Sequence, residues 1–402
     1  MKYIFILTIA VVVFTACKTG NGELQLTTSE SILVDTIPGS CPYLTKDSKG
    51  NVLLSWVRSI NDSSSIFCYA VSTDGKTFSA PVRIPTSTNI HPHAENLPKI
   101  IAKPSGELIA LWGAANPNPK NKYSGLVFYS QSFDNGTTWS TAKQLTTDTA
   151  SFDQRYYDVA LLPDGEAGII WLDNRKATTK EGSGLYFART AGANGFQNEQ
   201  RISQLCCQCC RTQLFIDTKG GIHAIYRGII NDSIRDMMHI VSTDNGKSFT
   251  EPIRISNDNW VLKGCPHTGP SMTENKTGLH FAWFTGAGKK GCYFTSSSNN
   301  GQSFAAADSV SSNGSHPQLT QLSNGTLLLV WDEAIQVNSK SYKRIAAQLR
   351  DEQGKNIGRT FLTADSTVAS YPVLVALPSN KVLLAYTAKK AEKNYIRYTS
   401  IE

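Results

Sequence analysis

The sequence predicts an all-β chain, a β-propeller of seven four-stranded blades in which an N-terminal strand closes the last blade. Three observations carry this: a repeated apolar hairpin, a regular spacing of one buried aromatic, and the absence of sustained helical periodicity. The aromatic recurs at Trp56, Trp112, Trp171, Tyr226, Trp283, Trp331 and Tyr386, so that successive positions differ by 48 to 59 residues. A repeat of that length is one propeller blade.

Within each repeat the first turn reads Lys49-Gly50, Ser105-Gly106, Asp164-Gly165, Gly220-Gly221, Thr277-Gly278, Asn324-Gly325 or Ser379-Asn380. These pairs tolerate the positive φ of a tight hairpin. The strands that follow, such as Val52-Leu53-Leu54 and Leu327-Leu328-Leu329-Val330, are continuously apolar, as expected where neighbouring sheets cover both faces. The last repeat lacks a fourth strand, and Ser31-Ile32-Leu33-Val34 has no sheet of its own. Joining them closes the ring and removes two exposed edges.

The 402 residues are 40% hydrophobic and 18% charged, which excludes a disordered or fibrous chain. Thirty-nine basic residues against 32 acidic ones give +7, spread without a basic block, so nucleic-acid binding is not indicated. The apolar run from Tyr3 to Ala16 is too short to span a membrane and reads as a signal peptide. Its end, Phe14-Thr15-Ala16-Cys17, resembles the lipobox of bacterial lipoproteins. That resemblance implies a leader over 1–16, lipidation of Cys17, a linker over 17–30 and a propeller over 31–402. The mature protein would be anchored through its lipid in the bacterial cell envelope, at the outer membrane, with eight thiols.

The turn between third and fourth strands has its own signature. Ser132-Phe133-Asp134-Asn135-Gly136-Thr137-Thr138-Trp139 and Ser242-Thr243-Asp244-Asn245-Gly246-Lys247-Ser248-Phe249 are full copies, and weaker ones run over Ser72–Phe78 and Ser297–Phe304. In such a turn the Asp carboxylate accepts backbone N–H groups, Gly supplies the special φ and the aromatic packs beneath. The pattern resembles the Asp-box, or BNR repeat, of the sialidase superfamily, whose propellers usually have six blades. Six is therefore the alternative to the seven hairpins counted here.

The sialidase resemblance implies glycan recognition, with an arginine triad for a carboxylate, a tyrosine nucleophile activated by a glutamate, and an aspartate acid/base. Arg83-Ile84-Pro85 does not supply the family's arginine, because it follows the first Asp-box and recurs as Arg201-Ile202 and Arg254-Ile255. Candidates for the roles are Arg155, Arg211 and Arg227, then Tyr156, Tyr157 or Tyr371, with Glu95 or Glu333 as partner and Asp173 as a further carboxylate.

Alternation of strand direction puts the Asp-box turns and Gly hairpins on one face, and the interblade connections and second-strand loops on the other. The connections carry the chemistry: Cys41, His91 and His93, Arg155 and Tyr156, Cys206-Cys207-Gln208-Cys209-Cys210-Arg211, Cys265 and His267, His316, and Tyr371. Cys68 and Cys292 fall in third strands and read as inert core residues. The Cys-His ring is open to three readings: disulfides, since an envelope protein meets an oxidising compartment; a zinc or copper site; or a redox-active dithiol. The second-strand loops add Arg58, Asp173, Arg175, Arg227, Arg235, Asp236, Asp332 and Glu333. Clustered guanidinium groups suit an anionic sugar, with Arg175, Arg235, Asp236 and Glu95 as ligand-binding candidates. The Cys-rich module resembles a subgroup of sialidase-like BNR proteins. The functional expectation is a ligand-binding mouth for a glycan or metal, with an exo-sialidase or a metal- or thiol-handling protein as alternatives.

Overall fold

The computed structural model describes residues 26–119, 121–175 and 182–402. The leader and Cys17 lie outside them. Seven four-stranded antiparallel sheets form a propeller, and the described residues contain no helix. The first blade consists of Gly39–Lys46, Val52–Ser59, Ser65–Ser72 and Val82–Arg83, and the next five repeat that order outward from the axis.

The seventh blade is built from both ends of the chain. Ala369–Ala376, Val382–Lys390 and Lys393–Ile401 take Ile32–Leu33 as their outer strand. Ile32 pairs with Tyr398 and Leu33 with Arg397, while Arg397 Nε donates to Ser31 Oγ at 2.9 Å. The expected closure is therefore the one that forms, and no blade is left with an unpaired outer edge of its own third strand.

The repeated aromatics are the core of the blades. Trp56, Trp112, Trp171, Tyr226, Trp283, Trp331 and Tyr386 are all buried. A buried indole must satisfy its N–H. Trp112, Trp171, Trp283 and Trp331 do so on Asn89, Asp173, Asp258 and Glu333, at 2.7 to 3.1 Å.

The four outer turns with the Ser-x-Asp pattern share one geometry. Asp134 Oδ1 accepts from Ser132 Oγ and from the Thr138 backbone N–H, and Asp244 does the same with Ser242 and Ser248. Asp74 accepts from Lys76 and Thr77, and in the fourth turn Asn299 takes the role of the aspartate. These latches lie on the face opposite the interblade connections and hold no part of the site.

The connections themselves enter the innermost strands irregularly. Register slips between Ser40 and Tyr43, Arg155 and Asp158, Ser315 and Gln318, and Ser370 and Val373. Each slip contains a left-handed residue: Cys41 at φ 60°, Tyr156 at 55°, His316 at 54° and Tyr371 at 54°. His267, at φ 49°, takes the same conformation before the innermost strand of the fifth blade. Such bulges turn a side chain off the strand and towards the channel mouth.

Candidate functional site

Blades two, four and five have short innermost strands, Lys99–Ala102, Gln213–Ile216 and Ser271–Asn275, so long connections lie across the mouth there. These connections, with the loops following the second strands of blades two and three, enclose a cavity of about 1040 Å³. Its wall includes His91, His93 and His267, together with Arg155, Lys122 and Tyr123.

Asp153 organises one side. It grips Arg155 bidentately, at 2.6 and 2.7 Å, and accepts from the Gly125 backbone at 3.1 Å and Asn121 at 3.1 Å. The guanidinium lies 5.3 Å over the Tyr156 ring. Tyr156 is buried behind the wall, its backbone N–H donated to Asn96 Oδ1 at 2.7 Å. Asn96 in turn packs on Gly113, where a Cβ would meet the amide nitrogen at 2.3 Å. Only glycine fits at that place.

Two imidazole rings converge over Tyr156. His93 meets it edge-on at 5.6 Å, His93 and His267 are 5.7 Å apart, and Tyr156 Oη lies 3.4 Å from His267 Nδ1. His93 Nδ1 accepts the Glu95 backbone N–H at 3.2 Å, so the neutral ring carries its proton on Nε2. Burial, together with His267, Arg155 and His91, pushes the His93 pKa down to about 4. Burial also raises Tyr156 well above an ordinary phenol. The cavity thus presents a neutral imidazole near neutral pH, backed by a neutral buried phenol.

The cysteines separate into two sets. Cys207 Sγ lies 3.5 Å from Cys209 Sγ and 3.9 Å from Cys210 Sγ. Cys265, from the next connection, makes a thiol contact with Cys209 that draws its pKa down to about 7, while Cys209 is raised correspondingly. Cys209 and Cys265 also line the cavity. Cys206 turns instead towards Gln204 O at 3.8 Å, and Cys41 lies against Ser40 Oγ at 3.5 Å, its thiol pushed up to about 11 by burial. All eight described cysteines are free thiols.

The other site candidates are placed elsewhere. Arg211 sits in the mouth, with Nη1 donating to Pro270 O at 3.0 Å and Nε 3.5 Å from the buried Glu95. Arg227 donates to the carbonyls of Arg235 and Phe284 and lies under Trp260. Arg155 is therefore the one member of the three that lines the cavity. Asp173 and Glu333 accept from indoles and from Ser151 and Arg344. Arg175 is held by Asp148, Asp173 and Glu199. Asp236 accepts the backbone of Asn259 and Trp260, and Arg235 borders a smaller recess beside Cys207 and Cys265. His316 and Tyr371 stack at 4.2 Å on the far side of the mouth, with Asp332 Oδ2 accepting from His316 Nδ1 at 2.8 Å.

Sequence reasoning missed Lys122, Tyr123, Asn96 and Asn121. Asn121, Lys122 and Tyr123 come from the loop after the second strand of blade two and Asn96 from the connection into that blade, and no spacing marks any of them. It also missed the ion pair between Lys99 and Asp158, 2.7 Å apart inside the channel. Two charged residues in otherwise apolar innermost strands were the available signal.

No protein-family model and no curated protein matches this sequence. Solved structures share the fold. An ulvan lyase of a polysaccharide lyase family, bound to -[GlcA(1-4)Rha3S]-, superposes with a TM-score of 0.60 at 10% identity over 92% of this chain and 95% of its own. A protein of unknown function from Dyadobacter fermentans gives 0.59 at 14% identity, covering 94% of this chain and 99% of that one. The intramolecular trans-sialidase of Ruminococcus gnavus gives 0.50 at 11%, covering 90% and 94%. At such identities the likeness is one of fold, a propeller architecture shared with sialidases and polysaccharide lyases.

Proposed function

We propose that this chain is a glycan-processing propeller that holds an acidic polysaccharide in the cavity and cleaves it by β-elimination. The observation that carries the reading is the convergence of His93, His267 and Arg155 on one cavity wall over Tyr156. Elimination next to a uronate needs a donor for the carboxylate, a base for the acidified α-proton and a proton for the leaving oxygen. His93 Nε2–H and Arg155 are the donor and the neutralising charge. His267 turns Nδ1 to the Tyr156 oxygen at 3.4 Å, which leaves Nε2 for the role of base.

The step balances without a cofactor. The C–H electrons form the new C=C bond as the glycosidic C–O bond breaks, and His267 passes the abstracted proton to the departing oxygen. The glucuronate bound by the ulvan lyase of the same fold supports a uronic acid as the ligand class. Exo-sialidase action is the weaker reading. Arg155 lines the cavity, whereas Arg211 and Arg227 do not and donate to backbone carbonyls, so the cavity wall lacks an arginine triad.

The chain is further proposed to work from the envelope, tethered by lipid at Cys17. Labelled palmitate incorporated by the native chain and lost in Cys17→Ser supports the tether. Function is tested on a panel of uronate-containing and sialylated glycans, reading the ultraviolet absorbance of an unsaturated uronate, released sialic acid, and binding by calorimetry. New absorbance supports elimination; released sialic acid, or binding without cleavage, overturns it in favour of a sialidase or a lectin.

A further inference from the structure

We propose that Cys207, Cys209, Cys210 and Cys265 form a four-thiolate zinc centre that pins the connection into blade four to the connection into blade five. Three of the four sulfurs already stand at the spacing of a tetrahedral site. Four sulfurs about 2.3 Å from one zinc lie about 3.8 Å from each other. Cys207 lies 3.5 Å from Cys209 and 3.9 Å from Cys210, and the three sulfurs all fall within 4.8 Å of one another. Cys265, on the next connection, lines the same recess as Cys207 and Cys209 and is the fourth thiolate that closes the set when metal binds.

The surroundings are those of an anionic centre. A zinc held by four thiolates carries two negative charges, which are costly in a buried place without compensation. Arg227 is buried and acts electrostatically on both Cys207 and Cys210, and its Nε has no hydrogen-bond acceptor among the described residues. The Thr268 backbone N–H lies within hydrogen-bonding reach of Cys210. Arg155 and Arg235 act in the same sense on Cys265. Guanidinium groups beside converging sulfurs supply the positive charge that a thiolate centre in a buried place requires.

Soft thiolates select zinc, copper(I) or iron–sulfur clusters, and sulfurs gathered around one point suit a single tetrahedral ion, for which zinc is the usual structural choice. Loading exchanges four thiol protons for one Zn²⁺ and changes no oxidation state. The metal is structural: Cys209 and Cys265 form part of the cavity wall, so the centre fixes the spacing of Gln208 and His267 across it. The inference stands whether or not the cavity binds glycan, because its readouts are metal content and unfolding.

The test uses the full chain purified anaerobically from its native envelope. Expected are one zinc per chain, four thiols that react with a thiol reagent only after chelation, and a lower unfolding midpoint for the chelated protein that recovers when zinc is returned. Cys265→Ser, at an exposed position that leaves the core intact, should lower zinc affinity by more than about 100-fold against a competing chelator, beyond what loss of an outer partner does. Cys41→Ser should retain full zinc with unchanged affinity. Absence of zinc with these cysteines found in disulfides, copper or iron in its place, or unchanged zinc affinity in Cys265→Ser would each overturn the proposal.

Discussion

Replacing Arg211 with methionine separates two accounts of the channel mouth. Resemblance to sialidases makes this arginine a ligand group; its surroundings make it a structural one. The guanidinium is 8% exposed and the Glu95 carboxylate beside it 4% exposed, with 3.5 Å between Nε and Oε2. Two further donors go to Pro270 O at 3.0 Å and Gly269 O at 3.5 Å. Glu95 Oε2 has no hydrogen bond of its own. Removing one partner of such a pair leaves a buried charge uncompensated, which costs about 3–5 kcal/mol.

The loss depends on pH in a defined direction. Burial raises the Glu95 pKa in the folded chain, and losing Arg211 raises it further. A group with a raised folded value adds stability below its unfolded value and loses it as pH rises through the folded one. Arg211→Met should therefore be most destabilised at neutral pH and recover part of the deficit near the ordinary glutamate value of 4.5. Adding Glu95→Gln should return about 2 kcal/mol at neutral pH, as expected for directly coupled residues. Denaturant unfolding of parent, single and double variants at both pH values reads this. If Arg211→Met unfolds within about 0.5 kcal/mol of the parent, as a surface change would, yet no longer binds the glycan, the structural account fails and the arginine is a ligand group.

Three other outcomes follow from the same structure. His267→Gln should slow glycan cleavage by about 10²–10⁴-fold, the usual contribution of a positioned acid/base, with little change in unfolding, measured as initial rates and a thermal melt. The core imidazoles predict acid lability: burial lowers His239 to about 3 and His280 to about 4, so as pH falls below the ordinary 6.5 the unfolded chain takes up protons first. Stability should then decline by about 3 kcal/mol per histidine down to pH 4, and a flat urea midpoint across that range would contradict it. Truncation through residue 34 removes the pairing of Ile32 and Leu33 with the last strand, so the shortened chain should melt earlier and associate through the exposed edge, read by light scattering.

Most of the fold was legible because its signals are local. A tight turn, with glycine in six blades and Ser379-Asn380 in the seventh, an apolar strand and a buried aromatic recur in every blade, and each is fixed by residues within one hairpin. The site was legible only by place. The interblade connections were correctly read as sharing one face, yet type and position did not show which side chains were already occupied. Asp173 and Glu333 illustrate this. Each stands two residues after a blade tryptophan, and each accepts that indole's N–H, at 3.1 and 3.0 Å. The spacing was visible in the sequence, but it carried a structural meaning, because in these two blades a carboxylate two residues on is placed to accept the buried indole N–H. Arg175 and Arg227 are likewise consumed by partners that come from distant loops, which no single hairpin reveals.

The left-handed residues explain why chemistry gathers at this mouth. Cys41, Tyr156, His267, His316 and Tyr371 all have φ between 49° and 60°, a conformation that costs a non-glycine residue about 1–2 kcal/mol. Glycine would relieve that cost at every one of these places, yet all five carry a side chain able to bond, titrate or ligate. The strain is supported by what surrounds it: Asn96 Oδ1 fixes the Tyr156 backbone and Asp332 Oδ2 fixes that of Tyr371. If these side chains serve only packing, His267→Gly should stabilise the chain and keep its activity. If they serve the ligand, the same variant should lose cleavage as His267→Ala does, while unfolding at least as high as that alanine variant. Comparing the two substitutions isolates backbone strain from imidazole chemistry, because both remove the ring and only one removes the strain.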